Sequence, residues 1–266
     1  MTQGERMRIT VLGTRGSVPV CGREFDDFGG NTSCYLVEAG NQSILLDAGS
    51  GLVNAPVAFA RTPVILLSHL HVDHLLGLGM YQRLSQPGAT TELFVPATDD
   101  ANAKTVLERL YSPPLWPLRL DEYPSELRIG AMRESMQFGD VTVETTTGSH
   151  PGGCLLIKIC HAQRTLVYAT DFEHGREASA RLAEFSRDAD LVLYDGQYDE
   201  AEYEPHRGFG HSTPNEGVAL LERSNARRLL VVHHDPHSND QELLARERAL
   251  GNPDVRFARE GETIEL

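Results

Sequence analysis

Short apolar runs alternate with polar, glycine-rich or periodic segments along the whole chain. The alternation in "MRITVLG" predicts a strand, and "TSCYLVEAGNQSILLDAG" predicts a hairpin that turns at "AGNQ". Other runs that predict strands are PVILLSH, TELFVPA, VTVETTTGSH, GCLLIKIC, RTLVYATD, DLVLYDG, RRLLVVHH and a closing VRFAREGETIEL. Helical spacing occurs in HLLGLGMYQRL, ANAKTVLERLY, EASARLAEFSR, TPNEGVALLERSN and SNDQELLARERAL. Strands mixed with helices in two similar halves predict two packed sheets covered by helices, within one domain over residues 1–266.

One segment, residues 111–124, fits neither pattern. It contains four prolines within "SPPLWPLRLDEYP", and prolines this dense exclude a regular helix or sheet interior. We interpret the segment as a loop, with a lid over a site as one role. Packing of Tyr111 and Trp116 onto the core is the reading that we prefer over stacking of these rings on a substrate.

Histidines and aspartates are concentrated where predicted strands end. The residues that follow such runs are His69, His71, His150, Asp171, His233 and His234. The ends of strands in an α/β sandwich meet along one rim, where loops build functional sites. Packing alone does not explain why so many predicted strands end in histidine or aspartate. We therefore expect these side chains to lie close together at the rim.

The stretch "LSHLHVDHLLGL" crowds three histidines and an aspartate into six positions. Such crowding is costly unless bound cations offset it, and imidazole and carboxylate groups are ligands of zinc, manganese and iron. His69 and His71 can reach one metal ion from one loop, whereas Asp73 and His74, at the start of a predicted helix, can face a second. Asp171 fits the role of a bridge between them. The four cysteines are far apart, so cysteine-bound zinc and disulfides are not expected.

The ordered set of motifs resembles the metallo-β-lactamase fold hydrolases over nearly the whole chain. The resemblance implies an α/β fold, an αββα sandwich of two mixed β-sheets flanked by helices. It also implies two divalent metal ions at the sheet edge, with zinc preferred and manganese or iron open. The implied ligands are His69, His71 and His150 for one ion and Asp73, His74 and a late histidine for the other, with Asp171 bridging. For the late histidine we favour His233 over His234, because His233 directly follows the apolar run and Asp235 could orient it.

Two further segments narrow the resemblance. "VLGTRGSVP…GGNTSCYLVE" and "YDGQY…GFGHSTPNEGVAL" are similar to the ribonuclease Z-like branch of these hydrolases. That similarity implies that His211 acts on the scissile phosphate together with an acidic partner. The partner would be Asp195, where the family more often has glutamate. Asp73 would accept a proton from the attacking water.

Charge bears on the substrate. The chain has 24 lysines and arginines against 38 aspartates and glutamates, a formal net charge of −14. An acidic surface disfavours a long polyanion, and no basic insertion of the kind that binds tRNA is present. Our first hypothesis is a phosphodiesterase that hydrolyses a small diester, a cyclic nucleotide above all, by metal-activated hydroxide, with Tyr111, Trp116 or Phe209 available to stack on a base. Ribonuclease Z-like processing of tRNA 3′ ends is the alternative, and a lactone or thioester hydrolase or a non-catalytic sensor ranks lower.

The sequence also bears on location and assembly. The N-terminal residues "MTQGERMRIT" lack the apolar stretch of a secretion signal, and no apolar run approaches the ~20 residues that a membrane helix needs. We therefore expect a cytoplasmic protein with no membrane partner. A small phosphodiester is the expected partner, nucleic acid is the second choice, and a homodimer is left open.

Overall fold

The computed structural model describes residues 6–266 and shows strands and helices in the mixture that the sequence predicts. The strands are β1 (Met7–Gly13), β2 (Cys34–Ala39), β3 (Gln42–Leu46), β4 (Val64–Leu66), β5 (Thr90–Val95), β6 (Glu126–Ala131), β7 (Ser135–Phe138), β8 (Val141–Thr147), β9 (Leu155–His161), β10 (Arg164–Ala169), β11 (Leu191–Asp195), β12 (Leu229–Val232), β13 (Val255–Phe257) and β14 (Thr263–Glu265). The helices are α1 (Asp100–Glu108), α2 (Arg176–Phe185), α3 (Glu200–His206), α4 (Pro214–Ser224) and α5 (Asp240–Leu250).

The strands form two seven-stranded sheets, one from each half of the chain apart from β14. The first has the order β14-β1-β2-β3-β4-β5-β6, and the second has the order β13-β12-β11-β10-β9-β8-β7. Each sheet is mixed: β3 to β6 and β10 to β13 pair in parallel, whereas β1 to β3 and β7 to β10 pair antiparallel. The predicted αββα sandwich of two mixed sheets is confirmed.

Apolar burial explains the four layers. Side chains from the inner faces of both sheets, such as Ile9 and Leu46 from the first and Ile157 and Leu193 from the second, pack into one central core. The outer face of the first sheet is covered by α1 and neighbouring loops, and the outer face of the second by α2, α4 and α5. Because strands buried on both faces leave little room for polar groups, polar chemistry is left to the strand ends.

The helix predicted after Asp73 does not form. This segment instead contains three short 3₁₀ turns, Val72–His74, Leu78–Met80 and Gln82–Ser85. Two glycines account for the difference, because glycine is a poor helix former and both are pressed against neighbours. A Cβ on Gly77 would lie 2.1 Å from the carbonyl oxygen of Gly49, and one on Gly79 would meet the ring of Trp116 at 2.3 Å.

The closing segment also differs from its prediction as one strand. β13 pairs with β12 in the second sheet, whereas β14 pairs with β1 in the first. The intervening turn therefore passes from one sheet to the other. Of the elements not expected from the sequence, β6 and β7 extend the two sheets, and α3 lies between β11 and α4 along the chain.

The proline-rich segment is held on the core by buried contacts. Tyr111 is fully buried, and its hydroxyl donates to the carbonyl of Leu75. The indole N–H of Trp116 donates to the hydroxyl of Tyr123 at 2.9 Å, and that hydroxyl donates to the carbonyl of Gly79 at 2.7 Å. Tyr111 therefore presents no ring face to a substrate.

Of the helices within residues 6–266, none combines the length and the apolar character that crossing a membrane requires.

Replacement of Tyr111 by phenylalanine tests whether this segment is docked as described. Tyr111→Phe should lower the free energy of unfolding by about 1 kcal/mol, because the Leu75 carbonyl loses one of its two donors and keeps only the backbone N–H of Leu78. Urea denaturation of wild type and variant measures the change. Leu115→Ala is the matched control in the same segment, since Leu115 is 67% exposed and should change the stability by less than about 0.5 kcal/mol. Equal stability of Tyr111→Phe and wild type would contradict the docking.

Candidate metal centre

The loops after four strands bring the predicted side chains to one edge of the sandwich. His69 follows β4, His150 follows β8, Asp171 follows β10 and His233 follows β12. These strand ends come from both sheets, and the backbone N–H of Leu155 donates to the carbonyl of Ser68 at 2.8 Å, which joins the two sheets beside the site.

The first group of side chains consists of His69, His71, His150 and Asp171, each with one ligand atom within 4.8 Å of the others. The Nε2 atoms of His69 and His150 lie 3.5 Å and 3.7 Å from Oδ1 of Asp171. Nε2 of His150 lies 3.0 Å from Nδ1 of His71. His71 is exposed, whereas the side chain of His150 is 1% exposed, so this group meets solvent at His71.

The second group consists of Asp73, His74, Asp171 and His233, and all four are buried. Nε2 of His74 lies 3.3 Å from Oδ2 of Asp73 and 3.1 Å from Oδ2 of Asp171. Nε2 of His233 lies 3.4 Å from Oδ2 of Asp73 and 3.3 Å from Oδ1 of Asp171. Asp171 thus belongs to both groups, in the position that a bridging carboxylate would take.

The outer ring nitrogens of four histidines have hydrogen-bond acceptors. Nδ1 of His69 faces Ser68 Oγ at 3.0 Å, His74 faces Asp47 Oδ2 at 2.7 Å, His150 faces the Gly210 carbonyl at 2.8 Å and His233 faces Gln197 Oε1 at 2.9 Å. A proton on each Nδ1 leaves each Nε2 with a lone pair directed into the centre, as in histidines that bind a metal ion.

The inner nitrogens supply the test of whether metal ions fit. Nε2 of His69, His74 and His233 is buried without a hydrogen-bond partner among the described residues. Buried polar atoms are rarely left unpaired, because each one costs free energy. Unpaired nitrogens that converge with carboxylate oxygens at 3.1 to 3.5 Å match the donor set and the spacing of a site for divalent cations.

The electrostatics of the cluster point the same way. Burial lowers the pKa of His69 to about 2, so its imidazole is neutral. Burial opposes the charge on Asp171, but His233, His74 and His69 together hold the pKa of its carboxyl well below the ordinary value. Burial likewise opposes protonation of His74, yet the carboxylates of Asp171, Asp47 and Asp73 raise its pKa. The buried carboxylate of Asp171 is therefore ionised and requires positive charge beside it.

Asp47 is a residue that the sequence analysis missed. Its carboxylate accepts from the backbone N–H of Ser68 at 2.6 Å, from the Ser68 hydroxyl at 2.7 Å and from the Tyr168 hydroxyl at 2.7 Å, besides facing His74. The signal was present, because Asp47 directly follows the strand run "SILL" just as Asp171 follows "TLVYAT". Gln197, which faces His233, had no such signal.

His211 and Asp195 form a pair beside the cluster. Nδ1 of His211 lies 2.8 Å from Oδ2 of the fully buried Asp195, which also accepts from the backbone N–H groups of Phe172, Gln197 and Ser212. The ring of His211 stacks on that of His233, with centroids 4.7 Å apart and planes at 19°. The structure thus brings together both residues that the resemblance paired.

His234 lies apart from the cluster. Its Nε2–H donates to the carbonyl of Ala258 at 2.8 Å, and its ring stacks on Phe257. Burial lowers its pKa to about 3. The orienting role expected for Asp235 also falls elsewhere, because its carboxylate accepts from the backbone of His237 and Gln197 faces His233 instead.

Two glycines allow the backbone to pass directly over two histidine rings of the cluster. A Cβ on Gly16 would lie 2.2 Å from Nδ1 of His233, and a Cβ on Gly210 would lie 2.1 Å from Nδ1 of His150. Gly210 also has a φ of 94°, in the region that favours glycine. Phe209, which precedes it, is 58% exposed beside the centre.

Comparison with known proteins agrees with this architecture. The model of the β-lactamase superfamily domain matches residues 42–234, more than half of the chain. The probable metallo-hydrolase YhfI of Bacillus subtilis is 24% identical over 96% of this chain and 98% of its own, and its crystal structure superimposes with a TM-score of 0.75 over 98% of this chain and 100% of that chain.

Two further relatives cover most of the chain. A ribonuclease Z of Methanosarcina acetivorans is 25% identical over 85% of this chain and 87% of its own. The crystal structure described as a new diphosphatase from the PhnP family is 18% identical, covers 98% of both chains and has a TM-score of 0.73. Together with the histidine and aspartate cluster at the sheet edge, these matches establish that the chain belongs to the β-lactamase superfamily and has the metallo-β-lactamase fold of a metal-dependent hydrolase.

Proposed function

We propose that this protein is a dinuclear phosphodiesterase that hydrolyses small phosphodiesters, with a cyclic nucleotide as the first candidate. The observation that carries the proposal is the His211–Asp195 pair stacked against the candidate metal centre. A metal centre by itself can support the hydrolysis of many classes of substrate. A histidine held by a buried carboxylate adds a proton donor beside it, which suits a phosphate ester with an alkoxide leaving group.

The residues divide into two sets of ligands and one acid. The first ion would be held by His69, His71, His150 and Asp171, and the second by Asp73, His74, His233 and the same Asp171. Ions bound there supply Lewis acidity toward a phosphoryl oxygen and lower the pKa of water. Zinc is our first choice, with manganese or iron as alternatives.

The proton movements are assigned to the chain's own side chains. Nδ1–H of His211 donates to Asp195, so Nε2 is the atom that can carry a proton toward the departing oxygen. Oδ2 of Asp73, already held by the backbone N–H of Ser17 at 2.9 Å, is the acceptor that we assign to the proton of the attacking water.

Charge and exposure favour a small substrate. The net charge is −14, and the densest basic stretch, residues 226–228, is engaged elsewhere, since Arg227 pairs with Asp190 and Arg228 with the Glu265 carbonyl. Near the centre the exposed side chains include Val18 and Phe209, which are apolar. Such a rim suits an organic group of modest size better than an extended polyanion.

Processing of tRNA remains the second candidate, because several sequence relatives are named ribonuclease Z. The dependence of the cleavage rate on salt concentration distinguishes the two candidate functions. Cleavage of pre-tRNA through phosphate contacts should weaken steeply between 50 and 200 mM salt, by about 10³-fold or more when six phosphates are contacted. We expect bis-p-nitrophenyl phosphate or a cyclic nucleotide to be cleaved with kcat/KM changing by less than about threefold over that range. Faster, salt-sensitive cleavage of pre-tRNA would favour the second candidate.

Metal content is the first test. Protein purified without chelators should contain two transition-metal ions per chain by elemental analysis, and Asp171→Asn should lose at least one of them because both groups share Asp171. Asp254→Asn, an exposed position away from the cluster, is the control and should keep both ions. Wild-type protein without stoichiometric metal, even after ions are added back, would contradict the proposal.

His211 is the second test. His211→Ala should keep its metal ions and lose about 10²- to 10⁴-fold in kcat on bis-p-nitrophenyl phosphate, the usual contribution of a general acid. His237→Ala, an exposed histidine, is the matched control and should retain full activity. If His211→Ala lost metal in the elemental analysis, His211 would be a ligand and its assignment as the acid would be wrong.

A further inference from the structure

Glu173 lies two residues after Asp171, in the loop between β10 and α2, and has no place in the reaction described above. Its backbone N–H donates to the carbonyl of Ser149 at 2.7 Å. Ser149 directly precedes His150 in the chain. The backbone of Glu173 therefore joins the loop that carries the bridging aspartate to the loop that carries a ligand of the first group.

The side chain of Glu173 reaches a third loop. Oε1 accepts from the backbone N–H of Gly208 at 2.6 Å and from the hydroxyl of Tyr203 at 3.2 Å. Oε2 accepts from the backbone N–H of Gly210 at 3.1 Å. One carboxylate thus binds two N–H groups of the segment between α3 and His211, and hydrogen bonds to a charged acceptor are the stronger ones.

That segment is the one that orients two site histidines. The carbonyl of Gly210 receives Nδ1–H of His150, and Gly210 is followed directly by His211. Gly208 and Gly210 both have left-handed backbones, with φ of 91° and 94°, which turns their N–H groups toward the same carboxylate. Glycine loses more conformational freedom on folding than any other residue, so hydrogen bonds from outside the segment help to keep it ordered.

The other contacts of the segment run mostly back to α3, where Arg207 pairs with Glu204 and the ring of Phe209 lies against that of His206. Arg207, Gly208 and Phe209 are exposed, and the N–H of Phe209 bonds only back to the carbonyl of His206. Without the carboxylate, the described hydrogen bond from the segment to His150 would remain, but the N–H groups of Gly208 and Gly210 would have no protein acceptor. Asp195 holds the ring of His211 itself, and the order of the glycine segment that precedes His211 then depends on Glu173.

We infer that Glu173 is a positioning residue, which holds the Gly208–Gly210 segment so that His150 and His211 keep their orientations. The inference rests on the proposed function for its kinetic consequence. Its structural consequence, the ordering of the segment, does not depend on any substrate.

The test uses Glu173→Ala and Glu173→Gln in the metal-loaded protein. Glutamine has the same shape but lacks the charge and one of the two acceptor oxygens, so it serves as the milder variant should Glu173→Ala fold poorly. Glu177→Gln is the matched control, because Glu177 is exposed and makes no side-chain hydrogen bond or ion pair within residues 6–266. Thermal unfolding checks that each variant is folded.

Hydrogen exchange of the peptide spanning residues 207–211 is the readout that needs no activity. Exchange should be at least about tenfold faster in Glu173→Ala, intermediate in Glu173→Gln and unchanged in Glu177→Gln. On bis-p-nitrophenyl phosphate at saturating metal, kcat should fall about 10- to 100-fold in Glu173→Ala with KM changed less than about threefold, as for other residues that orient ligands through a hydrogen bond.

The outcomes separate the two proposals. Unchanged exchange in folded Glu173→Ala would overturn the inference whatever the activity, and faster exchange with an unchanged kcat would overturn the link to His211. If wild-type protein cleaves no diester, the proposed function fails, and exchange together with the affinity for added Zn²⁺ decides the inference alone. Faster exchange with weaker Zn²⁺ binding would then support it, and faster exchange with unchanged Zn²⁺ binding would overturn it.

Discussion

A buried carboxylate among imidazole nitrogens is the constraint on which the rest of the site depends. Asp171 is 1% exposed, and Nε2 of His69, His74 and His233 approaches it with no hydrogen-bond partner in the described part of the chain. Protein interiors do not usually tolerate such an arrangement, because the unpaired nitrogens and the charge both cost free energy. Divalent cations remove both costs at once, since the nitrogens gain a bond and the carboxylate gains a counter-charge.

The fold makes this concentration possible by confining polar groups to the ends of strands. The interiors of both sheets are packed with apolar side chains on either face. Three residues at strand ends, Asp47, Asp171 and His233, have left-handed backbones with φ of 59°, 52° and 61°. Non-glycine residues rarely take this conformation, and where they do the surroundings must hold them in place. Here the left-handed conformation turns the backbone sharply where each strand ends, so that the side chain faces the common centre.

The sequence was informative where a local pattern decides the structure. Alternation and apolar runs predicted most strands, and the spacing around His69 predicted the cluster because neighbouring ligands on one loop need no knowledge of the fold. The segment after Asp73 was harder, since helical spacing was overridden by the close contacts of Gly77 and Gly79. The residues that form hydrogen bonds with the histidines of the cluster were the hardest to predict. Gln197 reaches His233 only through pairing of β11 with β12, which no local pattern records.

The site is also assembled from the whole length of the chain. Gly16 lies against the ring of His233, so the loop after the first strand packs on the residue that follows the twelfth. During synthesis on a ribosome, the motif around His69 emerges long before His233 does. Any ion bound at that stage would be held by an incomplete set of side chains that is open to solvent. The side chains of the second sheet can enclose the ion only after that sheet has folded against the first.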